Sequence, residues 1–110
     1  MTDAFREREK GFEAKYQHDQ EHLFRVIAKR NKLFGLWAAE ELGLSGDDAE
    51  AYAKTVVESD LTAPGDDDVV GKVLADLQEK GVDINDHRLH LKLQKFQTEA
   101  ETAVSAKEAE

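Results

Sequence analysis

The residue types best suited to chemistry in this chain stand at positions 18 to 22, where "HDQEH" sets two histidines around an acidic pair. His18 and His22 with Glu21 spell His-x-x-Glu-His, the inverted zinc-protease pattern, and on a helix both imidazoles share one face. A working centre of that kind also needs a third protein ligand and a cleft for substrate, which a small chain without cysteine scarcely provides. No metal site is expected. The same two histidines are candidates for proton sensing, because imidazole titrates at about pH 6.5; simple exposure is the ordinary alternative. His87 and His90 support no stronger claim.

Arg30 raises a different question, since it falls between Ile27 and Phe34 on an otherwise apolar helical stripe. A guanidinium there must reach out to solvent, pair with a carboxylate from another helix, or hold an anion. Pairing is the economical reading. The other reading joins Arg30 to Lys29 and Trp37 as a weak adenine-nucleotide site, with phosphates on the cations and the base on the indole. No phosphate-cradling glycine loop supports it. "GDDD" at 65 to 68 lacks the alternating oxygen ligands and terminal glutamate of a calcium loop, and suits the positive end of a helix instead. Ser45, Ser59 and Ser105 lie at a cap, a helix end and a tail, so nucleophilic catalysis has no candidate. The chain does not read as an enzyme.

These residues must be carried by a single small domain, because 110 residues with 40% apolar content leave room for one modest core. Without cysteine there is no disulfide framework, and a reducing cytosol suits everything present. The mixed-charge start fits neither a secretory signal nor a transit peptide. No apolar run approaches the roughly 20 residues of a membrane helix. The net charge of −9 is uneven: residues 1 to 40 hold eight Lys/Arg against seven Asp/Glu, and the remaining seventy hold seven against seventeen. An acidic body argues against nucleic acid as partner.

One proline and a few glycines divide the chain into helical segments. Leu23, Val26, Ile27, Leu33, Phe34, Trp37 and Ala38 repeat at helical spacing up to about Leu42, with Gly43 as the stop. Ser45 and Asp48 have the form of a capping box, and Ala49, Tyr52, Ala53, Val56 and Val57 carry a second helix to about Ser59. After "APGDDD", Val70, Val73, Leu74 and Leu77 form a third, closed by Gly81. Leu89, Leu93, Phe96, Ala100 and Ala103 form a fourth, capped by Asp83 or Asn85. The expected fold is all-α, a four-helix up-down bundle with a long first helix and a mobile N-terminal segment.

That segment carries Phe5, Phe12 and Tyr16 in phase with the stripe of the first helix. A helix over residues 3 to 42 would measure about 60 Å, against about 21 Å for its short neighbours, so its first turns should overhang the bundle unless the fourth helix covers them. Residues 1–18 are therefore expected to be frayed or disordered when free, and to fold into a partner's groove with those aromatics as anchors. The bundle would span 19–106, with a frayed tail at 107–110. Balanced charge along the segment favours a protein groove over a membrane surface.

"FREREKGFEAKY", "RNKLFGLWAAEELGLSG" and "GDDDV" together resemble the ATPase inhibitor subunit zeta family of alpha-proteobacteria. The resemblance covers nearly the whole chain and is most specific from Arg30 to Gly43. It implies a four-helix bundle whose mobile N-terminal segment binds the catalytic head of the F-type ATP synthase. The segment would enter at an α/β catalytic interface beside the central rotor and block ATP hydrolysis, in the cytoplasm at the inner face of the membrane. Phe5, Arg6, Arg8, Phe12 and Tyr16 become the contacts, Tyr16 standing where relatives are expected to carry phenylalanine. No cofactor is implied. The alternatives from other classes are a purine-nucleotide-binding helical module and an adaptor with an N-terminal docking helix.

Overall fold

Four helices and no strand make up the described residues of this computed structural model, which are 2–62 and 65–108, with side chains described from Gln20 onward except that of Thr62. In order they are α1 (Thr2–Glu41), α2 (Gly46–Thr62), α3 (Asp66–Glu79) and α4 (Asp86–Glu108). Helix α1 lies against both α2 and α4, α3 closes the ring between those two, and α2 and α4 face each other across the diagonal. This is the expected up-down bundle.

The connections follow from local chemistry. At the end of α1, the Leu44 N–H donates to the Ala39 carbonyl at 2.8 Å and the Gly43 N–H to Glu40 at 3.0 Å, while Gly43 takes φ 80°. The same pair of bonds ends α3, from Val82 to Leu77 and from Gly81 to Gln78, both at 3.0 Å, with Gly81 at φ 79°. Both are Schellman turns, in which glycine accepts the left-handed conformation that a side chain resists. Asn85 rather than Asp83 caps α4: its Oδ1 accepts the Arg88 N–H at 2.9 Å. Helix α2 continues to Thr62, three residues past the end expected from its apolar spacing.

Phe34, Val56, Val69, Val70, Val73, Leu77 and Leu89 are fully buried and form the centre of the core. Phe34 stacks on Trp37 with centroids 5.9 Å apart and meets Phe96 at 6.3 Å. Burying each such side chain stabilises the fold by about 1.5–3 kcal/mol. Tyr52 ties α2 to α3, its hydroxyl donating to Asp76 at 2.8 Å, and burial together with that bond pushes its pKa up. Gly35 is buried in the α1–α2 contact, where a Cβ would come within 2.7 Å of the Ala53 Cα. Here the two backbones touch.

The stripe fails in two places. Leu23 is 52% exposed, so the core begins one turn later, at Val26. On α4 the buried face drifts from Ala103, which is exposed, to Val104, because an α-helix turns slightly less than the 4, 3, 4, 3 count assumes. The 66 Å long dimension of the molecule reflects α1, about 60 Å long for its 40 residues.

Candidate functional site

Two places in this architecture bring together groups capable of specific recognition. The first is where α1 leaves the bundle. Val26 is buried, but of the six residues before it whose side chains are described only His22 is partly covered, and Leu23 and Phe24 are 52% and 60% exposed. The last turn of α4 closes on this point: Glu108 accepts hydrogen bonds from His22 Nδ1 at 2.7 Å and from Arg25 Nη1 at 2.9 Å. The His22 bond first, and the Arg25 bond after it, hold the Glu108 carboxyl below its ordinary pKa. Sequence reading placed residues 107 onward in a frayed tail, yet α4 is helical to Glu108. Fourth-helix cover of α1 thus extends back to His22.

The side chains of Phe5, Arg6, Arg8, Phe12, Tyr16 and His18 lie outside the described residues. Their backbone belongs to α1. His22, the other half of the expected histidine pair, is engaged by Glu108 alone among the described residues. No cluster of three or more metal-ligating residues occurs among the described residues.

The second place is Arg30, 5% exposed. Its Nη1 donates to Asp66 at 3.0 Å and to Gln97 at 3.2 Å, and its Nε and Nη2 both donate to the Asn31 Oδ1, at 3.1 and 3.0 Å. Asn31 in turn donates to Asp60 at 3.0 Å, and the other oxygen of Asp60 accepts the Gly65 N–H at 3.3 Å. One guanidinium therefore gathers α1, α3 and α4, and through Asn31 reaches α2 and the turn after it. Every buried side-chain polar atom among the described residues has a partner. This is the pairing reading of Arg30: each of its three guanidinium nitrogens has a protein partner.

The three residues of the nucleotide alternative do not converge. Lys29 is exposed and lines a groove with Arg25 and Lys32, whereas Trp37 lies more than two turns further along α1, in a depression shared with Lys92 and Lys95. The Lys92 ammonium already sits 5.3 Å from the indole centroid. The acids of "GDDD" serve the fold: Asp66 pairs with Arg30, and Asp67 accepts from His90 Nε2 at 3.2 Å. His90 Nδ1 donates to the Asp86 carbonyl at 3.0 Å. With acceptors on both ring nitrogens the imidazolium is favoured, and the Asp86 carbonyl is the main cause of the raised His90 pKa. His87 is exposed.

Sequence reasoning missed Glu108, Asn31, Gln97 and Gly35. Gly35 left a signal, a glycine in mid-helix with no capping role. The polar partners left none, because nothing in their spacing says which helix they will meet.

Comparison with known proteins adds what geometry does not supply. A family model described as ATPase inhibitor subunit zeta matches residues 1–103. A chain solved by solution NMR superposes with a TM-score of 0.66 at 40% identity, over 76% of this chain and 95% of its own length. No curated protein matches.

Proposed function

This chain belongs to the ATPase inhibitor subunit zeta family, whose members are regulators and not enzymes, and we propose that it blocks ATP hydrolysis by inserting residues 1–18 into the catalytic head of the F-type ATP synthase. The supporting observation is the division of α1. Among the residues whose side chains are described, α1 is buried from Val26 onward, whereas over 20–25 only His22 is partly covered, and Glu108 in the last described turn of α4 meets it there.

In this mechanism Phe5, Phe12 and Tyr16 anchor in an apolar groove at an α/β catalytic interface next to the central rotor, and Arg6 and Arg8 pair with acidic groups there. On this reading residues 1–18, which continue α1, exchange with frayed or disordered forms when free and are held helical by binding, with the entropic cost drawn from anchor burial. The bundle works as a handle that keeps the segment from passing through. No described helix is long and apolar enough to cross a membrane; on this reading the chain meets the cytoplasmic face of the membrane through the synthase. His18 and His22 sit between anchor and handle, where a charge change would alter the junction.

ATP hydrolysis by the catalytic head of the same organism, measured with the full chain and with a form lacking residues 1–18, tests this. The truncated form should keep the circular-dichroism spectrum of a folded bundle and lose all inhibition. Full inhibition by the truncated form would sink the mechanism.

A further inference from the structure

An open groove of about 790 Å³ runs along the outer face of α1, bounded by Val57 of α2 and by Val104 and Lys107 of α4. At 100° per residue Arg25, Ala28, Lys29 and Lys32 fall on one side of α1, opposite Arg30 and Phe34. Its floor is small, apolar and half-buried: Ala28, Val57 and Val104. Small side chains there allow another backbone to come close, as Gly35 does where α1 meets α2.

The rim is cationic. Lys29, Lys32 and Lys107 make no ion pair among the described residues, and Arg25 shares Glu108 with His22. A neighbouring depression shares Lys32 and Val57 and continues the strip along α2, adding Lys54. Five cations against two carboxylates, Glu50 and the already paired Glu108, thus leave one strip positive on a chain whose net charge is −9. Like charges so gathered repel one another until an anionic surface covers them. Phe24, one turn before Ala28 on the same side and 60% exposed, carries the apolar floor to the point where α1 leaves the bundle.

We propose that this groove is a second docking site, which takes an acidic amphipathic helix of the enzyme that residues 1–18 enter. The proposal rests on the inhibitor reading for the identity of that partner. Charge complementarity selects the acidic flanks, and the apolar floor selects a helix with an apolar face over a free phosphate, which has nothing to bury. Continuity through Phe24 places both sites along one helix, so a single surface can engage both. The groove would then tether the bundle, and the N-terminal segment would do the blocking.

The test uses the full chain with Lys29→Glu and Lys32→Glu together, binding to the purified catalytic head and followed at two salt concentrations. Affinity should fall by about tenfold or more and lose much of its salt dependence, while inhibition at saturating protein stays complete. The milder Lys29→Gln/Lys32→Gln pair should show a smaller loss, and Lys80→Glu/Lys95→Glu, outside the groove, little. Equal loss from both reversal pairs would assign the effect to net charge and overturn the proposal, as would unchanged affinity in a variant with wild-type helicity. A wild-type dimer dissolved by the reversal, or binding to anionic phospholipid vesicles lost with it, both with head affinity intact, would give the groove to another occupant. Failure of the wild type to bind the head at all would remove the inhibitor reading too, whereas inhibition that survives with an indifferent groove removes only this inference.

Discussion

Phe24 and Phe34 stand ten positions apart on one unbroken helix, the first 60% exposed and the second fully buried. Ten residues at 100° each also turn the two rings about 80° apart around α1. Leu23, on the same face as Phe34, is 52% exposed as well, so on that face the difference comes from what the other three helices cover. From Val26 on, α1 is the central strut of a bundle; over residues 20–25 it is exposed except where His22 meets Glu108. A periodic apolar stripe records where a helix could be buried, and neighbours of limited length decide where it is.

The sharpest way to break this comparison is to make one change in both halves. Phe34→Ala removes a ring packed against Trp37 and Phe96 and should cost about 3–5 kcal/mol in urea unfolding. Phe24→Ala should stay within about 0.5 kcal/mol of wild type. Equal losses would mean that the arm is part of the core.

Gly35→Ala comes next and sets two known effects against each other. Alanine gains about 1 kcal/mol of helix propensity. Its Cβ, however, would stand 2.7 Å from the backbone of Ala53, and overpacking of this kind costs about 1–3 kcal/mol. A net loss of stability, read from the same unfolding curves, is expected; a gain would show that α1 and α2 can part without penalty.

Smallest are the pH effects at the two ends of α4. The Glu108 pKa is lowered from 4.5, so its contacts with His22 and Arg25 contribute stability above that value and lose it as pH falls through the lower folded one. Glu108→Gln should flatten only the acid limb of the melting-temperature profile. His90 is raised from 6.5, and the sign reverses: its contribution is complete below 6.5 and disappears as pH climbs through the higher folded value. His90→Gln should therefore flatten the profile on the neutral side. Both groups are solvent-exposed, which keeps the changes small.

Much of this was legible beforehand. The helices, the Gly43 and Gly81 stops and the core positions Phe34, Val56, Val73 and Leu89 follow from periodicity and turn chemistry, which are local. Pairing of Arg30 was foreseeable because a buried guanidinium requires it. Its partners beyond the adjacent Asn31 were not, since Asp66 and Gln97 reach it from two other helices whose rotation relative to α1 no spacing reports. Glu108 was lost for the opposite reason: a polar helix end looks dispensable until a basic turn of another helix is seen beside it. Helical phase singled out Phe5, Phe12 and Tyr16 as anchors, family resemblance supplied their proposed partner and added Arg6 and Arg8, and the side chains of all five lie outside the described residues.

The link between Arg30 and Gln97 also has a bearing on how the protein is made. They are 67 residues apart in sequence, so α1 leaves the ribosome with a guanidinium and an apolar face whose last partners have yet to be translated. At about 5–20 residues per second that interval lasts roughly 3 to 13 seconds. During it Phe34 has no Phe96 to meet. The nascent chain must stay soluble on its charge alone, and the core cannot close until the fourth helix has been synthesised.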